Sequence, residues 1–573
     1  MKLIYKSVIR KFHLTIKVLS VLILLAVSVS VKGAGFEKDG IFYNIISTQT
    51  EEKVEVIPGS VKYSGDVVIP AIINYDDTDF EVTHIAASAF RDCEDMTSVT
   101  IGESVEWISS FAFSGCTGLT EVTIPNAVIS IGSNAFKDCS NLASIIIGNS
   151  VLYIDNQAFY FCTSLKSVTI GDSLKNIYYN AFSGCKDLES FYVSEGNNNF
   201  SSLDGVLFNK DKSLLIRYPL GKKGDYTIPD FVTSVGESAF DSSNSLTTVT
   251  IPGTVTLIGF YAFSDCKNLT AFYVDEGNAD YTSLDGVLFS KDKSLLINYP
   301  AAKKGDYIIP DFVTRIETWA FGKCNNINKI TIPNSVSSIG FSAFSECKGL
   351  KSVTIPNSVA IIDKNAFHYC TALASVEIPN SVTLIDAYAF SLCEALTSIT
   401  IPNSVTNIEA AAFSSCSSLN MLRIGNSVNY IDRRAFYNCE GLCSISCEAL
   451  VPPAVSVLFS DVFSETTYSS AILYVPDTSV SDYASADDWK NFKNIRPLSE
   501  SSVNSDMVQL INCYASGNTV TIENAVGQAV NISAMSGTRI KNFTVADSVE
   551  RIELSGGVYI VTLNGTSYKV AVM

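Results

Sequence analysis

"LKSVTIPNSVAIIDKNAFHYCTA", residues 350 to 372, decides the fold of this chain. Val353 and Ile355 alternate with Ser352 and Thr354, the period of two of a strand with one buried face. Pro356 lacks a ladder donor and Asn357 tolerates turn geometry, so the strand stops there. Val359 and Ile362 supply a second inward-facing piece. Phe367, Cys370 and Leu373 then fall at i, i+3 and i+6, on one side of a helical or 3₁₀ turn. The segment predicts strand, turn, short extended piece and tight turn, and alone it cannot bury its apolar side chains.

Its copies supply the missing partners. An Ala-Phe pair recurs with phenylalanine at 90, 113, 136, 159, 182, 240, 263, 321, 344, 367, 390, 413 and 436. Ten of the twelve intervals are 23 residues and the other two are 58. A fixed period of this size predicts a β-rich solenoid whose coils stack at the ~4.8 Å strand spacing, about fifteen of them, and bury one continuous core. Outward positions repeat as well. Thr100, Thr123, Thr169, Thr250, Thr331, Thr354 and Thr400 share a column, with Ser98, Ser167, Ser352, Ser375 and Ser398 beside it. Such pairs suit an exposed sheet on propensity alone, and they also offer a broad, shallow docking face.

Twelve of the thirteen units carry cysteine three residues after the phenylalanine, and Ser243 is the exception. A position locked to the repeat phase on the apolar side is most simply a small buried filler. Phe90, Cys93, Phe113, Cys116, Phe344, Cys347, Phe367 and Cys370 therefore define a core ladder. Disulfides between adjacent coils are the alternative, since stacked positions approach the Cα separation a bridge requires. Cys443 and Cys447, four apart at the end of the array, are the pair most open to a bridge. A metal ladder needs clustered Cys/His spacing that is absent here.

The two long intervals hide a second duplication. "FYVSEGNNNFSSLDGVLFNKDKSLLIRYPLGKKGDYTIPDFV" from Phe191 is matched 81 residues later from Phe272. Val206 and Phe208, a polar turn at Asn209 to Lys212, then Leu214, Ile216 and Tyr218 predict a β-hairpin in each insert. These inserts concentrate cations at Lys210, Lys212, Lys222 and Lys223, and at Lys291, Lys293, Lys303 and Lys304. They are read either as turn lysines that discourage edge pairing or as two basic knobs for an acidic partner.

The first residues carry Lys2, Lys6, Arg10, Lys11 and Lys17, then the apolar run Val18 to Val31, then Gly33, Ala34 and Gly35. This predicts a Sec signal peptide over 1–34. The run is short for a membrane span, so no transmembrane segment is expected after cleavage. The remainder carries 34 Lys/Arg against 58 Asp/Glu, a net charge of −24. That field repels nucleic acid and anionic lipid.

Catalytic signals are thin. After the leader only His84 and His368 remain, each isolated in its own repeat, and no phosphate loop, dinucleotide fingerprint, HExxH or EF-hand spacing occurs. The acidic run "YDDTDF", 75 to 80, reads as a solvated turn before it reads as a calcium site. No enzyme activity, cofactor or metal is expected.

"IPNSV" at 332, 355, 378 and 401, "AFSGC" at 112 and 181, and "DGVLFNKDKSLLIRYP" at 204 resemble the BspA-type leucine-rich-repeat surface proteins of Bacteroidetes-like bacteria. The resemblance implies a leucine-rich-repeat array over 81–447, with inserts near 191–232 and 272–313. It adds an opening cap over 35–80 and a closing cap over 448–500. Residues 501–573 show alternating strands and Gly turns consistent with a small β-sandwich. Their ending "GGVYIVTLNGTSYKVAVM" resembles the sorting domains of type IX secretion cargo. The family implies a secreted or outer-surface protein that adheres to host matrix proteins, other cells or glycans. The alternative is glycan capture or a structural role in nutrient uptake. No family binding residue carries over.

Overall fold

The computed structural model describes residues 35–47, 51–178, 180–456 and 461–501, together with most of 512–572. The expected leader at 1–34 lies outside the described residues. The chain divides into two compact units, one of residues 1–420, 430–441 and 455–464, the other of 421–429, 442–454 and 465–573.

The first unit is a β-solenoid, part of a run of about 18 coils of about 23 residues. Residues 350 to 372 show how one coil works. The strand Ser352–Thr354 pairs in parallel with Ser375–Glu377, with Val353 opposite Val376. The second extended piece shrinks to Ile361–Ile362, which pairs with Leu384–Ile385. The tight turn is neither helical nor 3₁₀, because two residues of each turn adopt left-handed backbone angles. In the neighbouring coil these are Ser342 at φ 52° and Glu346 at φ 60°. Alternate peptides consequently project along the stack. Ser342, Phe344 and Glu346 donate to the carbonyls of Lys364, Ala366 and His368 in the following coil at 3.0, 2.9 and 2.7 Å. The amides of Ala343, Ser345 and Cys347 instead close local turns onto Gly340, Ser342 and Phe344. The turn thus forms a third inter-coil ladder beside the two strand ladders, which offsets the ~1–2 kcal/mol that a left-handed residue costs.

Each insert keeps the stack but changes one coil. Strands Phe200–Leu203, Val206–Asn209 and Leu214–Arg217 run antiparallel, and Leu214–Arg217 pairs in parallel with Ser234–Val235. The predicted hairpin is present with one strand more than expected. Tyr218 takes the place of the missing phenylalanine and stacks on Phe240 at 5.0 Å; Tyr299 does the same on Phe321. The central strand buries both faces. Leu207 packs into the preceding coils, while Val206 and Phe208 pack into the following ones.

At the start, Ile72–Tyr75 and Thr78–Ile85 form a hairpin whose corner residues Asp76 and Asp77 have φ 50° and 60°. The acidic run is therefore a tight turn of the primed type.

In the second unit, Met421–Ile424, Ser444–Cys447, Ile472–Val475 and Asn494–Pro497 stack in parallel. Tyr483, on the helix Val480–Ser485, donates to Ala449 O at 2.9 Å and to Cys447 Sγ at 3.2 Å. Cys447 is a buried thiol, so no Cys443–Cys447 bridge forms. Further on, a three-stranded and a four-stranded antiparallel sheet share a core that includes Val520, Ile522, Val530, Ile532 and Val561.

Candidate binding surface

The phenylalanine ladder faces inward and leaves the coil edges for function. Phe344 and Phe367 are fully buried, with centroids 5.1 Å apart and ring planes 1° from parallel. Phe90 and Phe113 stack at 5.0 Å. The cysteines below them do more than fill space. Cys116 Sγ donates to Phe90 O at 3.0 Å, Cys347 to Phe321 O at 3.0 Å and Cys370 to Phe344 O at 3.1 Å. Among the described residues, Cys93 through Cys416 are unbridged buried thiols, which removes the disulfide alternative. Ser243 marks the rule by breaking it: its buried hydroxyl reaches no partner. Ser243→Cys should restore both volume and the hydrogen bond and raise stability by ~1 kcal/mol, read as a higher denaturant midpoint.

The lysines of the inserts are mostly engaged by their own loops. Lys210 Nζ donates to Glu195 O at 3.0 Å and to Asn197 O, and Lys291 Nζ to Glu276 O at 3.0 Å. Lys222 Nζ donates to Asp204 O at 2.7 Å, and Lys303 Nζ to Asp285 O. Lys212 lies over the Phe231 ring at 5.9 Å and Lys293 over Phe312 at 5.7 Å. Lys223 and Lys304 are exposed and make none of these contacts.

The strand face is different. Its outward column runs through Val68 and Thr100, which pair with each other. Thr123, Ile146, Thr169 and Tyr192 then follow in register. After the first insert come Thr227, Thr250 and Tyr273. After the second come Ile308, Thr331, Thr354 and Glu377. Each insert thus opens with an outward tyrosine. Tyr192 and Tyr273 are 56% and 57% exposed, Ile308 71% and Val68 60%, more than an inward-facing role would allow. Charges beside the column are partly satisfied locally. Asp66 accepts from Thr97 and Ser98, and Asp225 from Thr247 and Thr248, bonds that hold both carboxyls below their ordinary range.

A shallow groove of about 270 Å³ follows Thr123, Ile146 and Thr169. Its wall is glycine where coils approach most closely: a Cβ on Gly148 would lie 2.2 Å from Pro125 O. A larger concavity of about 670 Å³ at the opening cap includes Tyr63 and Val68. Neither gathers a catalytic set. His84 meets Thr83 Oγ1 at 2.9 Å, and burial pushes both His84 and His368 below the usual imidazole range. Among the described residues no group of three or more His, Cys, Asp or Glu is arranged to hold a metal ion.

The profile of the BspA-type leucine-rich-repeat region matches residues 83–214, 223–298, 299–386 and 360–491. The chain belongs to the BspA-type leucine-rich-repeat family. A second profile, a domain of unknown function (DUF6383), matches 497–572. This BspA-type chain is similar to a leucine-rich cell surface protein from Faecalibacterium prausnitzii, with 29% identity over 69% of this chain and 95% of that one, TM-score 0.44. A leucine-rich-repeat protein from Bacteroides ovatus shares 24% identity over 72% and 94%, TM-score 0.33. The pneumococcal vaccine antigen PcpA shares 20% over 81% and 97%, TM-score 0.36. No curated protein matches the sequence. Among the described residues of this BspA-type protein, no helix is long and apolar enough to cross a membrane, which says nothing of β-barrels.

Proposed function

We propose that the protein is an exported, surface-displayed adhesin or binding scaffold that holds extracellular proteins, cells or glycans by extended non-covalent contact. The observation that carries this reading is the outward strand face: broad, regular, shallow and furnished with exposed apolar side chains that the solenoid core does not use. Family membership adds that the relatives are cell-surface proteins with binding or scaffold roles. Residues 1–34 act as the export signal and 501–573 as the sorting element. Lys223 and Lys304 add a cationic contact for an acidic partner.

The test has two parts. Protease shaving of intact cells should release solenoid fragments, and a screen of the full chain against matrix proteins and polysaccharides should find selective retention. Lys223→Gln with Lys304→Gln should flatten the salt dependence of binding to an acidic partner while leaving the melting temperature unchanged. Intact protein after shaving together with an empty screen would sink the reading.

A further inference from the structure

The outward column carries a pattern that a general binding role leaves unassigned. From Val68 to Thr354 its register positions include no charged residue, in a chain with 40 Lys/Arg and 58 Asp/Glu. The first charge in the column is Glu377. Within the neutral stretch, exposed apolar side chains are interspersed with threonines. Tyr192 and Tyr273 occupy equivalent positions in the duplicated inserts.

We propose that this column binds a neutral, extended glycan, with Tyr192 and Tyr273 as stacking platforms and the intervening threonines as hydrogen-bonding partners. The proposal rests on the scaffold reading and specifies its partner. Three arguments favour this occupant. An anionic polymer would meet the exposed Asp66, Glu121, Asp225 and Asp306, which lie on the same face two residues before the column, and would be repelled by them. A protein partner would be expected to meet a fused apolar core, whereas Ile146 and Tyr192 are separated by Thr169 in the paired register. A periodic surface fits a periodic ligand. Sugar rings present an apolar CH face to a tyrosine ring and hydroxyls around it, and each tyrosine here has a threonine beside it, Thr169 next to Tyr192 and Thr250 next to Tyr273. The groove beside Thr123, Ile146 and Thr169 is shallow, which suits a chain laid along the coils better than a small molecule that must be enclosed.

The experiment is affinity electrophoresis of the full chain through gels containing a β-1,3-glucan, a neutral xylan, a starch-type α-glucan or a mannan, with pectin as the anionic contrast. At least one neutral polymer should retard the protein, and retardation should persist at ~1 M salt. Tyr192→Ala and Tyr273→Ala should each weaken retention roughly tenfold, and the pair by more than either, with unchanged melting temperatures. The proposal is overturned by free migration in every neutral gel, by retention in pectin alone, or by full retention of the double variant. Capture of a matrix protein with no polymer retained would end the glycan assignment and leave the scaffold reading standing. Capture of neither would end both.

Discussion

Phe367→Ala should cost ~3–5 kcal/mol, the range for emptying a buried aromatic site, with the lost ring stacking contributing within it. Phe367 has no exposed surface and lies 5.1 Å from Phe344 and 5.3 Å from Phe390. Its backbone is fixed independently of the ring, since Phe367 N donates to Ala389 O at 2.8 Å and its carbonyl accepts Cys393 Sγ at 3.3 Å. The coil therefore has little freedom to collapse into the cavity, which places the cost at the upper end. Because each coil of a solenoid contacts only its neighbours, the damage should be local. Thiol labelling in native buffer should find Cys347 and Cys370 newly reactive while Cys116 stays protected. Chemical denaturation should show a lower first midpoint. An unchanged midpoint with an unchanged labelling pattern would mean the ring stack is dispensable.

How much of this was legible beforehand differs from element to element. The solenoid followed from the spacing of the Ala-Phe pairs, because a 23-residue period leaves each coil no partner except its neighbours. The inward face of each strand followed from alternation: Val353 and Ile355 are buried as the pattern requires. The third ladder was missed, although its signal was present. Turn residues such as Asp92, Gly115, Asp138, Gly184 and Asp265, each just before the cysteine, are types that accept left-handed angles. Read as a helical turn, the Phe-Cys-Leu spacing concealed them. Tyr218 and Tyr299 were assigned to a hairpin, and their place in the ring stack was invisible because the preceding alanine is absent. The lysines showed the limit of composition: eight cations in an acidic chain suggest a partner, yet most of them are occupied by their own loops. The binding column was half legible. The threonines recur by eye, but the residues that stand beside them, Ile146, Tyr192, Tyr273 and Ile308, are placed by the register of the paired strands within each sheet.

The cysteine ladder makes the protein sensitive to alkali in a way that composition alone would not suggest. Burial is the leading cause that raises the thiols of Cys93, Cys116, Cys162, Cys185, Cys266, Cys324, Cys370, Cys393 and Cys416. Cys185 and Cys393 are pushed up to about 12 from an ordinary 9.0. For an acid whose folded pKa is raised, the folded state keeps its proton while the unfolded chain loses it. Stability is therefore constant below pH ~9 and falls above it, until the folded thiols titrate in turn. Each group contributes ~1.4 kcal/mol per pH unit within that window. For Cys185 and Cys393 together, one unit of pH above that threshold removes on the order of 3 kcal/mol, a sizeable share of the ~5–15 kcal/mol that holds an ordinary domain together. Melting in reducing buffer should be flat from pH 7 to 8.5 and then collapse steeply toward pH 10.5, with thiol reagents reacting only as the coils open. Cys370→Ala with Cys393→Ala should make the alkaline slope shallower even as it lowers stability at neutral pH, separating titration from packing. Equal melting temperatures at pH 7.5 and 10.5 would show that the thiols titrate without leaving the fold, and that the ladder is open to solvent.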